Sequence, residues 1–176
     1  HFWSEPDLWR KQLSDVEARC REGHAAYAMT STRRSMRRWT LKGTTRLDEM
    51  PAWKNLLSLP LDLRKEKLRD PQIRFELGRA MESGKPIGFS RRWDLISVKK
   101  AARPENKSAE SKSVDELARE KRKPAIDAFL DLALAEDLET TFEDCASQGD
   151  IAAVEEIFRN PHVLLGQSDA GAHVAN

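Results

Sequence analysis

The strongest constraint on the fold is that amphipathic helical patterns alternate with short apolar runs. Ser4–Asp7 is typical of a helix start, with Pro6 in the first turn. The apolar positions that follow share one helical face: Trp9, Leu13, Val16 and Cys20. Gly23 ends this helix, and the run Ala25–Met29 indicates a buried strand. A helix, a glycine and a strand in this order make one α/β step.

A second step of the same kind closes the sequence. Asp150 is placed to cap a helix with four apolar residues that are predicted to face inward: Ile151, Val154, Ile157 and Phe158. Pro161 ends that helix, and Val163–Leu165 follows as a short apolar run. A run so short and so apolar suits a strand that is covered on both faces of a parallel sheet. The carboxyl end of such a strand is where ligands usually bind.

The middle of the chain contains further helices and strands. The first predicted elements are a short helix at Pro51–Leu57, two helical pieces over 61–83 separated near Asp70-Pro71, and a strand at Trp93–Val98. A Ser113–Glu116 capping box then opens a helix, and a further helix carries the apolar stripe Ile126, Phe129, Leu130, Ala133 and Leu134. On this striped helix Asp127, Asp131 and Glu136 fall largely off the stripe, and a strand at Thr140–Phe142 follows. The order predicts an α/β fold with a parallel sheet, and both a barrel and an open sheet fit it.

Composition excludes several classes of protein. The 176 residues are 39% hydrophobic and 34% charged, which suits one folded domain with solvated helix faces. The net charge of +1 gives no field that would favour nucleic acid or an anionic membrane. Cys20 and Cys145 match no metal-binding spacing, so we expect a reduced, cytoplasmic protein. The sequence has no run of 18 apolar residues, so we expect no membrane partner. Because the chain opens on His1-Phe2-Trp3 without a methionine, we expect a piece of a longer protein.

An arginine-rich stretch follows the first predicted strand. Its basic residues include Arg33, Arg34, Arg37 and Arg38, and it lacks clear periodicity. Long irregular segments in compact domains are often functional loops. The stretch could be a lid that contacts an anionic substrate, or a nucleic-acid patch built with Trp39.

The residues after Val163–Leu165 carry the chemistry that this sequence offers. Asp169 is flanked by Gly166 and Gly171 and could be a metal ligand or a general base. It could equally cap a following helix together with Ser168. His173, four residues further on, could bind metal or substrate, or could be a surface residue.

The other histidines lie at different places in the predicted pattern. His24 and His162 precede strands, so we expect both to be remote from a site at the carboxyl ends. His1 precedes the first helix, where a strand end would lie, and is a compatible ligand position. Cys20, on the apolar face of its helix, is predicted to be a core residue.

Several strings together resemble one enzyme family. They are Asn160–His173 (NPHVLLGQSDAGAH), Met50–Trp53 (MPAW), Arg103–Ser108 (RPENKS), Ser113–Ala118 (SVDELA) and Ala133–Asp137 (ALAED). In this order they are similar to the D-aminoacylase branch (N-acyl-D-amino-acid deacylases) of the metal-dependent amidohydrolase superfamily. The resemblance covers most of the chain.

The resemblance implies the later half of a (β/α)₈ barrel. All of 1–176 would then belong to a partial barrel holding about strands five to eight, with 31–92 as an insertion over the barrel mouth. Asp169 would match the aspartate after the eighth strand, which binds metal and carries the proton. His1 would match a histidine ligand after the fifth strand. Many relatives carry a further histidine ligand after the sixth strand, where this chain has Thr30, which leaves the number of metal ions open.

The activity implied is hydrolysis of a linear amide with one or two divalent ions, expected to be zinc. The substrate would be a small N-acyl amino acid or related amide, held by Ser168, His173 and arginines among Arg33, Arg34, Arg37 and Arg38. A cyclic-amide hydrolase of the same superfamily and a non-catalytic relative that has lost ligands are the alternatives. We expect this stretch to be inactive by itself, because other ligands of the family would precede His1.

Overall fold

The computed structural model describes residues 7–30, 36–43, 45–82, 92–145 and 151–166. Its helices are α1 Leu8–Arg21, α2 Pro51–Leu57, α3 Leu61–Lys67, α4 Pro71–Glu82, α5 Val114–Lys121, α6 Ala125–Ala135 and α7 Ile151–Arg159. Its strands are β1 Ala28–Thr30, β2 Met36–Trp39, β3 Ile96–Lys100, β4 Thr141–Cys145 and β5 Val163–Leu165. Short 3₁₀ helices lie at Arg46–Glu49, Trp93–Leu95 and Pro104–Ala109. The fold is therefore mixed α/β.

The chain divides into two compact units. One unit comprises His1–Ser35 together with Ser147–Asn176, and the other comprises Met36–Ala146. We call them the flanking unit and the central unit. The flanking unit contains α1, β1, α7 and β5, and the central unit contains the other elements.

The flanking unit is built on two parallel strands. β1 pairs with β5 in the register Ala28↔Val163, Met29↔Leu164 and Thr30↔Leu165. Helices α1 and α7 pack on the face that carries Ala28 and Val163, through Trp9, Leu13, Ala153 and Ile157. The parallel pairing and the position of the terminal strand are confirmed, and the first strand begins three residues later than predicted. The predicted burial of both strands is wrong, since Met29, Leu164 and Leu165 are exposed. The inward orientation predicted for Ile151, Val154 and Phe158 of α7 is also wrong, because α7 packs through Ala153 and Ile157 instead. Gly23 has a φ of 91°, which suits the turn that ends α1.

The central unit contains a three-stranded antiparallel sheet in the order β2-β4-β3. The strand predictions at 93–98 and 140–142 are close in position, but the expected parallel pairing is wrong for both. On β3, Ile96 and Val98 are buried while Lys99 and Lys100 are exposed. Alternation of this kind belongs to a sheet with one solvated face, which antiparallel pairing allows.

Aromatic side chains fill the core of the central unit. Phe129 of α6 packs against four other rings, with centroid separations of 4.5 to 6.2 Å: Trp39, Trp53, Trp93 and Phe142. The predicted stripe of α6 is thus confirmed at its centre, where Phe129, Leu130 and Ala133 are buried. The indole Nε1 of Trp53 donates to the carbonyl of Leu77 at 3.2 Å, which satisfies its polar atom.

Two local features fix the helix ends in the central unit. The capping box of α5 is confirmed: Glu116 N donates to Ser113 Oγ at 3.1 Å, and Ser113 N donates to Glu116 Oε2 at 2.7 Å. Arg64 was not singled out by the sequence, yet it is buried and donates to carbonyls at the end of α2 (Leu57 and Leu59) and in the 41–42 turn. Burial lowers the pKa of this guanidinium, and the carbonyl oxygens accept its Nη protons.

Candidate functional site

The carboxyl ends of β1 and β5 lie at one edge of their sheet. Thr30 is the register partner of Leu165, and Gly166 N donates to Thr30 O at 3.3 Å. The backbone that leaves β5 therefore starts beside Thr30. Asp169 is three residues beyond Gly166 in the sequence. This edge is the candidate functional site, because side chains that follow parallel strands gather where the strands end.

The residues chosen from the sequence as site residues lie outside the described part of the chain. They are His1, Arg33, Arg34, Ser168, Asp169 and His173. Their predicted roles in metal binding, catalysis and substrate binding therefore stay predictions. Among the residues that the structure describes, no group of three or more histidine, cysteine, aspartate or glutamate side chains could hold a metal ion.

Arg37 and Arg38, the other two arginines considered for substrate binding, are part of β2. Arg38 Nε donates to Glu143 Oε2 at 2.8 Å across the β2–β4 pair. Arg37 is the register partner of Asp144 on the same pair of strands. Both residues thus belong to the antiparallel sheet of the central unit.

The amino ends of β1 and β5 bring Cys20 and His162 together. Cys20 Sγ lies 3.4 Å from His162 Nδ1 and donates to Ala26 O at 3.2 Å. His162 O accepts from Ala28 N at 2.8 Å, which places His162 before β5, at the edge opposite Thr30, as predicted. The prediction that Cys20 is a core residue is wrong. Its thiol is half-buried because it bonds to polar atoms at the sheet edge rather than packing among apolar side chains.

A buried carboxylate that sequence reasoning placed off the core organises part of the central unit. Glu136 is 1% exposed and accepts from Ala102 N (3.0 Å), Arg103 N (3.1 Å) and Thr140 Oγ1 (2.7 Å). Burial acts to raise the pKa of Glu136, but these hydrogen bonds, with one from Asn106, outweigh it and hold the pKa below its ordinary value. The placement of Glu136 off the buried face is therefore wrong. Thr140 is the residue in the sequence that could have indicated a buried Glu136, since a hydroxyl four residues later can donate a hydrogen bond to a buried carboxylate.

Two of the strings that carry the family resemblance, Arg103–Ser108 and Ala133–Asp137, are joined by hydrogen bonds to Glu136. The loop that contains Arg103 and Asn106 is tied by its backbone N–H groups to the carboxylate at the end of α6. Glu110 Oε1 adds a bond from Ala101 N at 3.0 Å. These contacts fix the backbone of the loop, so the roles that this structure gives to Glu136 and Glu110 are structural.

Asp144 is a second buried acid in the central unit. It is 0% exposed, and its Oδ1 accepts from Trp39 Nε1 at 2.7 Å. Its Oδ2 has no hydrogen-bond partner among the residues that the structure describes. Burial raises the pKa of Asp144 despite the hydrogen bond from Trp39 and the charges of Arg37 and Arg46. Sequence reasoning did not single out this residue, because strand alternation indicates a buried position without showing which side-chain oxygen lacks a donor.

No family model, no curated protein and no solved structure matches the chain. Within the described residues, none of the helices is both long enough and apolar enough to cross a membrane.

Proposed function

We propose that this chain is part of a metal-dependent amidohydrolase that hydrolyses linear amides of N-acyl amino acids, built on a (β/α)₈ barrel. The observation that carries the proposal is the geometry of the flanking unit. β1 and β5 are parallel neighbours, and their carboxyl ends meet three residues before Asp169. An aspartate that follows a barrel strand at this edge has the position required of a metal ligand and general base.

The packing of the helices supports a barrel over an open sheet. Both α1 and α7 lie on the face of β1 and β5 that carries Ala28 and Val163. In a barrel every helix lies outside the strands, whereas a doubly wound open sheet has helices on both faces. Met29 and Leu164, which point to the other face, would then line the barrel interior.

The proposal changes the strand assignment made from sequence. Because β1 and β5 pair directly, they would be consecutive barrel strands, the seventh and the eighth, and the central unit Met36–Ala146 would be the insertion between them. The position before α1, occupied by His1, would then follow the sixth strand. Thr30 would end the seventh strand and would replace no ligand. In this assignment Thr30 does not mark a lost metal ligand, so it does not favour the alternative of a non-catalytic relative.

In the proposed reaction, His1 and Asp169 would hold the metal. A zinc ion, when bound, supplies a Lewis acid that lowers the pKa of water to about 7. Asp169 takes the proton of the attacking water and returns it to the leaving amine, so one carboxylate acts first as base and then as acid. Arg33, Arg34, Ser168 and His173 are the residues proposed to hold the substrate.

The test uses the protein that contains this chain. We expect it to bind zinc and to release acid from N-acyl-D-amino acids, and we expect Asp169→Asn to lower kcat by about 10³-fold or more. Asp62→Asn, at a fully solvated position on α3, is the matched control and should leave kcat unchanged. A protein without zinc and without acyl release would overturn the proposal.

The strand assignment has its own test. His1→Ala should lower the zinc content of the purified protein, whereas Thr30→Val should leave zinc content unchanged. Loss of zinc in Thr30→Val alone would show that Thr30, rather than His1, occupies the ligand position after the sixth strand.

A further inference from the structure

Helices α4 and α6 of the central unit form a groove with an apolar lining. The groove has a volume of about 610 Å³, within the range of pockets that bind ligands. Gly78, Pro124 and Ile126 line it, and a Cβ at Gly78 would lie 3.4 Å from Ile126 Cγ2. Phe75 stands at its side and is 60% exposed. An aromatic ring left this exposed beside an apolar groove is typical of an interaction surface.

The charges around the groove are unevenly compensated. Arg74 is neutralised locally, because its Nη1 lies 2.9 Å from Asp127 Oδ1 and 2.8 Å from Asp131 Oδ1. Arg69 and Arg79 are exposed and have no carboxylate partner within the described residues. Arg69 Nη1 donates to Lys65 O at 3.1 Å, which leaves its charge uncompensated. Two guanidinium groups without a carboxylate partner in the described chain therefore border the apolar lining.

A neighbouring depression continues the same pattern. It shares Pro124 with the groove and is bordered by Arg122, which also has no carboxylate partner in the described part of the chain. Its other cations are paired: Lys123 with Asp131 at 2.6 Å and Arg119 with Asp115 at 3.3 Å. Glu82 is the one carboxylate that lines the groove and for which the described residues provide no cation. Arg69, Arg79 and Arg122, which lack a carboxylate partner among the described residues, thus line the groove and the depression beside it, together with this single uncompensated carboxylate.

We propose that this groove docks an acidic peptide segment of a partner protein that carries a large apolar side chain. The apolar side chain packs against Phe75, Pro124 and Ile126, and the acidic residues of the segment pair with Arg69, Arg79 and Arg122. Charge complementarity favours a peptide over a single-stranded nucleic acid. Glu82 lines the groove without a cation among the described residues and would repel a continuous phosphate backbone, whereas a peptide can place its carboxylates at the arginines alone. The inference does not rest on the proposed hydrolase function.

The test measures binding of a fluorescein-labelled synthetic peptide to the full chain by fluorescence anisotropy. The peptide contains leucine and tryptophan among glutamates, and a second peptide has serine in place of the apolar residues. We expect only the first to bind. Phe75→Ser should weaken its binding by about tenfold, since the exposed ring loses roughly half of the burial free energy of an aromatic side chain. Arg79→Glu should weaken it by about tenfold or more and reduce its salt dependence.

Two control variants lie on other helices of the same unit. Leu61→Ser removes an exposed apolar side chain from α3, and Lys54→Glu makes the same change of charge on α2 as Arg79→Glu does on α4. Both should bind the peptide within about twofold of the unchanged protein. All four positions are exposed, and circular dichroism checks that each variant is folded.

Three results would overturn the proposal. They are no binding of the acidic apolar peptide, binding by Phe75→Ser and Arg79→Glu as tight as by the unchanged protein, and tighter binding of a thymidine oligonucleotide with the same dependence on Phe75 and Arg79. The third result would assign the groove to nucleic acid.

Discussion

The central unit and the flanking unit differ most in how completely each buries its apolar residues. The central unit joins 22 buried apolar residues in one cluster that includes Trp53, Phe129 and Phe142. Among the described residues of the flanking unit, three are buried in one cluster: Trp9, Leu13 and Ala153. Burial of apolar area is the main favourable term in folding. The central unit therefore has the large apolar core that an independent domain needs, whereas the described residues of the flanking unit form only a small one.

Large apolar side chains are exposed on the second face of the β1–β5 pair. Met29 is 62% exposed and Leu164 is 48% exposed, and both point away from α1 and α7. Large apolar side chains at the centre of a sheet are normally covered by another layer. The described residues of the central unit thus bury their large apolar side chains together, whereas those of the flanking unit keep Met29 and Leu164 exposed. This supports the proposed barrel, in which the same face is interior.

The largest expected effect comes from removing the aromatic centre of the central unit. Phe129→Ala should lower its free energy of unfolding by about 3–5 kcal/mol, because four neighbouring rings lose their shared contact. Urea denaturation followed by tryptophan fluorescence measures the loss. Leu13→Ala in the flanking unit is the comparison variant and should cost less, since the cluster around Leu13 has only two other buried side chains among the described residues, Trp9 and Ala153. Equal losses for the two variants would contradict the contrast between the cores.

Glu136→Gln should come next, with a loss of about 2 kcal/mol at neutral pH. The pKa of Glu136 is lowered in the folded state, so its contribution is present above the unfolded pKa of about 4.3 and is lost as pH falls through the folded pKa. Urea denaturation at pH 7 and near pH 3 should therefore show the difference between variant and unchanged protein shrinking at low pH. A difference that is the same at both pH values would mean that the charge of Glu136 is not what holds the loop.

Asp144→Asn is expected to act in the opposite direction, by about 1 kcal/mol of added stability at neutral pH. The pKa of Asp144 is raised, so its favourable contribution is present below the unfolded pKa of about 3.9 and is lost as pH rises through the folded pKa. Asparagine keeps an oxygen for Trp39 Nε1 and carries no charge. The stabilisation should be largest at neutral pH and smallest near pH 3 in the same denaturation experiment. Destabilisation at pH 7 would show that the ionised carboxylate has a favourable partner.

The smallest effect is expected for Leu164→Ser in the 176-residue chain. Because this side chain is half-exposed, the change in the free energy of unfolding should stay within about 0.5 kcal/mol. Val163→Ser, one residue away but facing α1 and α7, is the matched variant and should cost about 1–2 kcal/mol. Hydrogen exchange of the β1 and β5 amides measures both. A large loss for Leu164→Ser would show that the exposed face is covered in solution.

Local sequence signals predicted much of the secondary structure. The Ser113–Glu116 capping box, the stripe centred on Phe129 and the strand Val163–Leu165 are all as expected, because caps and periodicity act over a few residues. The partner strands of β3 and β4 were wrong, since periodicity identifies a buried face without identifying the neighbour that covers it. Glu136 was misplaced for a related reason. Its buried position depends on N–H groups from Ala102 and Arg103, more than thirty residues away.

The sequence by itself determined the helices, the ends of several elements and the placement of Asp169 after an apolar strand. Only the tertiary structure decided that β1 and β5 are neighbours, that Met36–Ala146 forms a unit of its own, and that α1 and α7 share one face of the sheet. The physical reason is the range of the interactions. Hydrogen bonds within a helix and its caps join residues close in sequence, whereas β1 and β5 pair across more than 130 residues, and that pairing is fixed by what can be buried together.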